Sequence, residues 1–117
     1  MYVSHPSSIN FEKEIYVPVR TALGETAQLI FPHENGKKGE FSMNIIKNVD
    51  RILAFVDGNS EGRAMEIGWA VAFHVPLTFI TKDKNNVYKL YHFIAQQVNN
   101  VEWLEYSSEE DLIRQLK

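Results

Sequence analysis

Ile52-Leu53-Ala54-Phe55-Val56 is an unbroken apolar run, and the six residues after it, Asp57-Gly58-Asn59-Ser60-Glu61-Gly62, are small or polar. From Arg63 to His74 the chain turns apolar again, at a length that suits a helix. A short run apolar on both faces fits a strand covered on both sides. Strand, tight turn and covered helix together make half of a βαβ unit, which confines the chain to α/β architectures. One residue breaks the pattern. Glu66 sits inside the apolar helix about one turn from its start, and a covered helix seldom holds a charge.

The remaining elements follow the same alternation. Tyr2-Val3-Ser4 reads as a first short strand, and His5-Pro6-Ser7-Ser8 as the turn after it. Phe11, Ile15, Val19 and Ala22 recur at helical spacing within 10–23, with Pro18 as an obstacle to a regular helix. Ala27 to Phe31 reads as a second strand stopped by Pro32, His33 to Gly39 as a loop, and 40–48 as a short helix. Val49 to Val56 is then the third strand and Gly62 to His74 the third helix. Pro76 to Ile80 is the fourth strand, 87–98 a helix, Val101 to Tyr106 the fifth strand, and 107–117 a final helix capped by Ser107 or Ser108. Five strands separated by helices predict a single α/β domain: a doubly wound (flavodoxin-like or Rossmann-like) five-stranded parallel sheet flanked by helices over residues 1–117. A chain of 117 residues suits one such domain.

Composition narrows the function. With no cysteine and no H-E-x-x-H pattern, no metal site is expected. The net charge of −3 gives no basic footprint for nucleic acid, and no apolar stretch approaches the length of a membrane span. The N-terminus lacks a basic region followed by an apolar run, so the expected location is cytoplasmic. The turn before the third helix lacks G-x-G-x-x-G, so it is not a dinucleotide site, and no cofactor is expected.

In a doubly wound sheet, ligands gather at the carboxyl ends of the strands. The loops after the first and third strands, His5–Ser8 and Asp57–Gly62, are then the floor of a site. An ionised, partly desolvated Glu66 can attack an electron-poor carbon such as the anomeric carbon of a sugar. The plainer alternative pairs it with Arg63, three residues back, at a helix edge. Gly58 and Gly62 allow close backbone approach. The Ser60 hydroxyl, with the amides of the helix start, can hold a phosphate or a sugar hydroxyl, or can simply cap the helix. Asp57 can bond a ribose hydroxyl or orient a base, or belong to an ordinary Asp-Gly turn. His5 and Ser7 offer an imidazole and a hydroxyl from the first loop. His33 and Glu34 follow Pro32 and can reach the same rim.

The stretch Asn59-Ser60-Glu61-Gly62-Arg63-Ala64-Met65-Glu66-Ile67-Gly68-Trp69-Ala70 resembles the signature of the nucleoside 2-deoxyribosyltransferases and the related deoxynucleoside 5′-monophosphate N-glycosidases. Tyr2 to Ser8, Tyr16 to Arg20 and Phe31 to Glu34 are similar to small members of that superfamily as well. The resemblance implies cleavage or exchange of an N-glycosidic bond, with Glu66 as the nucleophile and Tyr2 matching the tyrosine of the glycosidases' first strand. Ser60 stands where the glycosidases carry serine and the transferases aspartate, which leans towards a nucleotide substrate. Ser42 falls where the glycosidases carry a second carboxylate, and His5-Pro6 replaces the family's glycine and arginine.

The expected function is therefore an enzyme acting on a small-molecule nucleoside or nucleotide, with Glu66 catalytic and Tyr2, His5, Ser7, Asp57, Ser60 and Gly62 around the substrate. The alternative is a nucleotide-binding module of the same fold without catalysis. A receiver-like signalling domain fits less well, because Ser4-His5-Pro6 supplies no acidic pair for magnesium. The third helix has apolar residues on every face, which predicts a homodimer or higher homo-oligomer burying it or its neighbour.

Overall fold

A computed structural model describes residues 1–35 and 43–117. Strand β1, Tyr2–Ser4, is followed by a π-helical turn, Glu12–Tyr16, that runs directly into α1, Val17–Leu23. Short helices α2, Pro32–Asn35, and α3, Met43–Lys47, lead to β2, Ile52–Phe55, and then to α4, Glu61–Ala72. Strand β3, Leu77–Thr81, a 3₁₀ turn, Lys84–Asn86, helix α5, Lys89–Gln97, strand β4, Val101–Glu105, and α6, Glu109–Leu116, complete the chain.

The strands lie in the order β1-β2-β3-β4, all parallel, with Tyr2 opposite Ile52, Ile52 opposite Leu77 and Leu77 opposite Val101. The sheet therefore has four strands among the described residues rather than the five expected. The segment predicted as the second strand touches the sheet at one point only, a parallel bridge between Tyr2 and Ile30. Two backbone hydrogen bonds make that bridge, Ile30 N–H to the Met1 carbonyl at 2.8 Å and Val3 N–H to the Ile30 carbonyl at 3.0 Å. The reason is local. Thr26 and Ala27 are still turning off α1 through N–H bonds to the Leu23 carbonyl, and Pro32 opens a helix. Too few extended residues remain for a ladder.

Pro18 is accommodated without breaking the helix. The Val17 N–H reaches back five residues to the Glu12 carbonyl, and the wide turn places Pro18 near the start of α1, where a missing N–H is tolerated. The Ser42 position and residues 36–41 lie outside the described residues, so only the Met43–Lys47 part of the expected 40–48 helix is seen.

Strand alternation divides the core in two. Tyr2, Ile52, Ala54, Leu77 and Phe79 pack with Ile46, Ile67, Ala70 and Tyr91 on the face covered by α3, α4 and α5. Val3, Leu53, Phe55 and Ile80 pack with Ile15, Tyr16, Val19 and Leu112 on the face covered by α1 and α6. Side chains two apart on a strand share a face, so Tyr2 and Ser4 both point to the side of α4. That geometry sets up the site.

Candidate active site

Helix α4 starts at a cap. Ser60 has extended backbone (φ −160°, ψ 115°), and its Oγ accepts a hydrogen bond from the Arg63 N–H at 3.2 Å. The turn before it needs Gly58, whose φ of +70° lies in the left-handed region. Gly62 is different: a Cβ there would meet nothing within 4 Å, so no neighbouring protein atom requires a glycine. From the cap, Arg63, Ile67 and Ala70 form the buried stripe of α4, and Glu66 lies on its border.

Glu66 is held from behind by β1. The Tyr2 hydroxyl donates to Oε2, and the Ser4 hydroxyl donates to Oε1 at 2.7 Å. Tyr2 and Ser4 are fully buried, and Glu66 is largely so. Burial pushes the Glu66 pKa above the ordinary carboxylate value, while the bonds from Tyr2 and Ser4, and the charge of His33, pull it partly back. The expected pairing with Arg63 does not occur. In a helix the Cα–Cβ bonds tilt towards the N-terminus, and the Arg63 side chain runs back under the preceding loop. Its Nη1 donates to the carbonyls of Phe55 (3.0 Å) and Asp57 (2.7 Å), its Nη2 to that of Gly58 (2.6 Å), and its Nε to the Tyr91 hydroxyl (3.2 Å).

In front of Glu66 lies a cleft of about 570 Å³. Ser60, Glu61, Gly62 and Met65 of the α4 start, Trp69 one turn on, and His5, Ser7, Ser8 and His33 from the facing loops line it. Of the residues singled out in the sequence, His5, Ser7, His33, Ser60, Gly62 and Glu66 share this cleft, Tyr2 stands behind its wall, and Glu34 pairs with Arg20 instead. Asp57 does not line it. The Asp57 carboxylate accepts from the Thr81 hydroxyl and from the Lys82 N–H at 2.9 Å, and it borders a separate cavity of about 200 Å³ with Pro6, Ser8 and Tyr106.

His5 presents its ring rather than its nitrogens. Nδ1 lies 2.8 Å from the Pro6 carbonyl, which can only accept, so Nδ1 carries the proton and Nε2 accepts from the Tyr16 hydroxyl at 2.6 Å. Burial is the main cause that lowers the His5 pKa, and the charges of His33 and Arg63 add to it against the opposing Pro6 carbonyl. Burial likewise pushes the Tyr16 phenol up to about 12, and its oxygen accepts from the His33 N–H at 3.3 Å. Phe11, His5 and His33 form a cluster of three rings, with Phe11 stacked 4.7 Å from His5 and 4.6 Å from His33 and the two imidazoles 5.3 Å apart.

Sequence reasoning missed Ser4, Met65 and Trp69. Ser4 was detectable, because it lies two residues after Tyr2 on the same strand face. Trp69 follows Glu66 at the i+3 spacing of one helix face. Among the described residues no group of three or more His, Asp or Glu is placed to hold a metal ion, and no helix is long and apolar enough to cross a membrane.

No family model matches the chain, and no curated protein matches it by sequence. Solved structures do match. The CMP N-glycosidase BcmB of Clostridium botulinum superposes with a TM-score of 0.72 at 21% identity, over 99% of this chain and 98% of that one. The chain shares the fold of that N-glycosidase. A conserved protein from Enterococcus faecalis V583 superposes as well, with a TM-score of 0.65 at 20% identity over 98% of this chain and 94% of that one.

Proposed function

We propose that this protein cleaves or exchanges the N-glycosidic bond of a nucleoside or its 5′-monophosphate, with Glu66 as the nucleophile. The observation that carries the proposal is the Glu66 carboxylate itself, largely buried, held by two hydroxyls of β1, without an ion-pair partner among the described residues, and lining a cleft large enough for a nucleotide. One carboxylate oxygen attacks C1′ of the sugar. The C1′–N bond breaks through an oxocarbenium-like transition state, and the base leaves with the electron pair and takes up a proton. The resulting glycosyl ester is opened by water, which gives hydrolysis, or by a second base, which gives transfer. Tyr2 and Ser4 fix the carboxylate for the attack and stabilise it again as it departs. Ser60 accepts from the Arg63 N–H, which leaves its own hydroxyl proton to donate to a phosphate or sugar oxygen.

A second reading, a binding module without turnover, is favoured by one observation. Asp57 is engaged by Thr81 and Lys82 outside the cleft, so it does not stand in for the second family carboxylate. One assay separates the two. The protein is incubated with nucleosides, 2′-deoxynucleosides and their 5′-monophosphates, and free base is followed by chromatography. The enzyme reading requires base release that falls roughly 10³-fold or more in Glu66→Ala. Saturable binding with no release in any combination would establish the module instead.

A further inference from the structure

Arg63 is 1% exposed and heads the fully buried side chains in volume. Four of its five N–H groups go to neutral oxygens, three backbone carbonyls and one phenol. Its guanidinium also stands 5.2 Å from the centre of the Tyr91 ring. No carboxylate among the described residues pairs with it. The fold thus keeps a full positive charge, paired with no carboxylate among the described residues, inside the wall of the cleft that Arg63 helps to line. Tying down the β2–α4 loop needs donors but not net charge, and an uncompensated buried charge is unfavourable.

Glu61 and Glu66 line the same cleft, and among the described lining residues Arg63 is the one Arg or Lys. Without Arg63, the two carboxylates would repel an anion, and among the described lining the amide end of α4 and the His33 imidazole would be left to attract one. We infer that Arg63 sets the cleft's preference for an anionic ligand, so that a nucleoside 5′-monophosphate binds better than the same nucleoside without its phosphate. This rests on the reading of the cleft as a nucleoside site. Arg63 touches no reacting atom in that scheme. It is a specificity-determining residue that acts through its charge and through the loop it holds in place.

The two contributions separate by substitution. Arg63→Met removes both charge and donors, Arg63→Gln keeps an amide donor for the loop without charge, and Arg63→Lys keeps the charge with a poorer fit to the carbonyls. Each is combined with Glu66→Gln to prevent turnover. Cytidine and cytidine 5′-monophosphate are titrated into each protein by calorimetry, and the ratio of the two affinities is read. With Arg63 intact the monophosphate is expected to bind more tightly. Arg63→Met or Arg63→Gln is expected to lower the ratio by about tenfold with little change for cytidine, and Arg63→Lys to keep it within about threefold. A ratio unmoved by the neutral variants overturns the inference, and so does a ratio that collapses in Arg63→Lys. The Lys result decides alone if neither neutral variant folds. Equal binding of both ligands with Arg63 intact refutes the inference and leaves the nucleoside reading standing, whereas binding of neither refutes that reading too.

Discussion

Tyr2→Phe isolates the interaction on which the candidate site depends. The hydroxyl of Tyr2 is buried and donates to Glu66 Oε2, with Ser4 on the other oxygen. Removing it leaves an ionised, largely buried carboxylate with one protein donor of two. A hydrogen bond to a charged group contributes about 1.5–3 kcal/mol, and one between neutral groups about 0.5–1.5 kcal/mol. The loss therefore depends on whether Glu66 is charged. The folded pKa of Glu66 is raised by burial, so the folded state binds the proton more tightly than the unfolded chain. The stability this contributes is complete below the unfolded value of 4.5 and is lost as pH rises through the folded value. Tyr2→Phe removes a bond that opposes the shift, so it raises the folded pKa further and steepens that loss. Urea denaturation of both proteins at pH 4 and pH 8 measures the effect. The expected destabilisation is about 0.5–1.5 kcal/mol at pH 4 and about 1.5–3 kcal/mol at pH 8. The small hole left by the missing oxygen is common to both conditions and cancels in the difference. If base release is observed, its acid limb should move to higher pH in the variant, because the nucleophile must be ionised. Equal destabilisation at the two pH values would mean that Tyr2 does not interact with a titrating Glu66, and the account of the site would be wrong.

Two further outcomes follow from the same structure. Because the folded pKa of His5 is lowered from 6.5, mainly by burial, its contribution to stability is present above pH 6.5 and falls away as pH drops towards the folded value. NMR should find its ring neutral at pH 6.5 with the proton on Nδ1, and Tyr16→Phe, which strands Nε2, should destabilise by about 1–3 kcal/mol; a His5 that titrates at or above 6.5 contradicts the assignment. Met65 on α4 and Leu90 and Phe93 on α5 are each more than half exposed, so we propose the homodimer that the apolar third helix led us to expect. Light scattering at micromolar concentration should give twice the chain mass and Phe93→Glu should reduce it, whereas a monomer mass for the unaltered chain refutes the proposal.

The layering was legible because period and alternation are local. Ile52 to Val56 and Leu77 to Ile80 announced covered strands, and the buried stripe of α4 matched its spacing. The second strand was over-read because Ala27 to Phe31 has strand composition but sits at the edge between a turn and a proline, where its neighbours decide how many residues can pair. Pro18 looked like a helix breaker because the reading assumed bonds four residues apart. The chain uses a π-helical turn there, with bonds five apart, and continues.

The site divides along the same line. A lone carboxylate in an apolar helix is visible without coordinates. Its partners lie 64 and 62 residues away, and nothing local encodes which strand face meets which helix turn. Spacing favoured Arg63 as the partner of Glu66, and side-chain direction defeated it. A residue in the first turn of a helix reaches back past the N-terminus, where β2 ends and its last carbonyls need donors. Glu66 lies one turn further in, beyond that reach. Two consequences follow from one placement. The guanidinium is fixed among neutral carbonyls and the carboxylate among neutral hydroxyls, each without an ion-pair partner among the described residues. An ion pair between them would have cancelled both. Kept apart on one wall, they leave an anion to face the positive charge that develops on a sugar ring during the proposed cleavage, and a cation to face a phosphate. That division matches the two ends of the proposed nucleotide, and it gives a reason for Arg63 and Glu66, three positions apart on α4, to be held separately rather than as an ion pair.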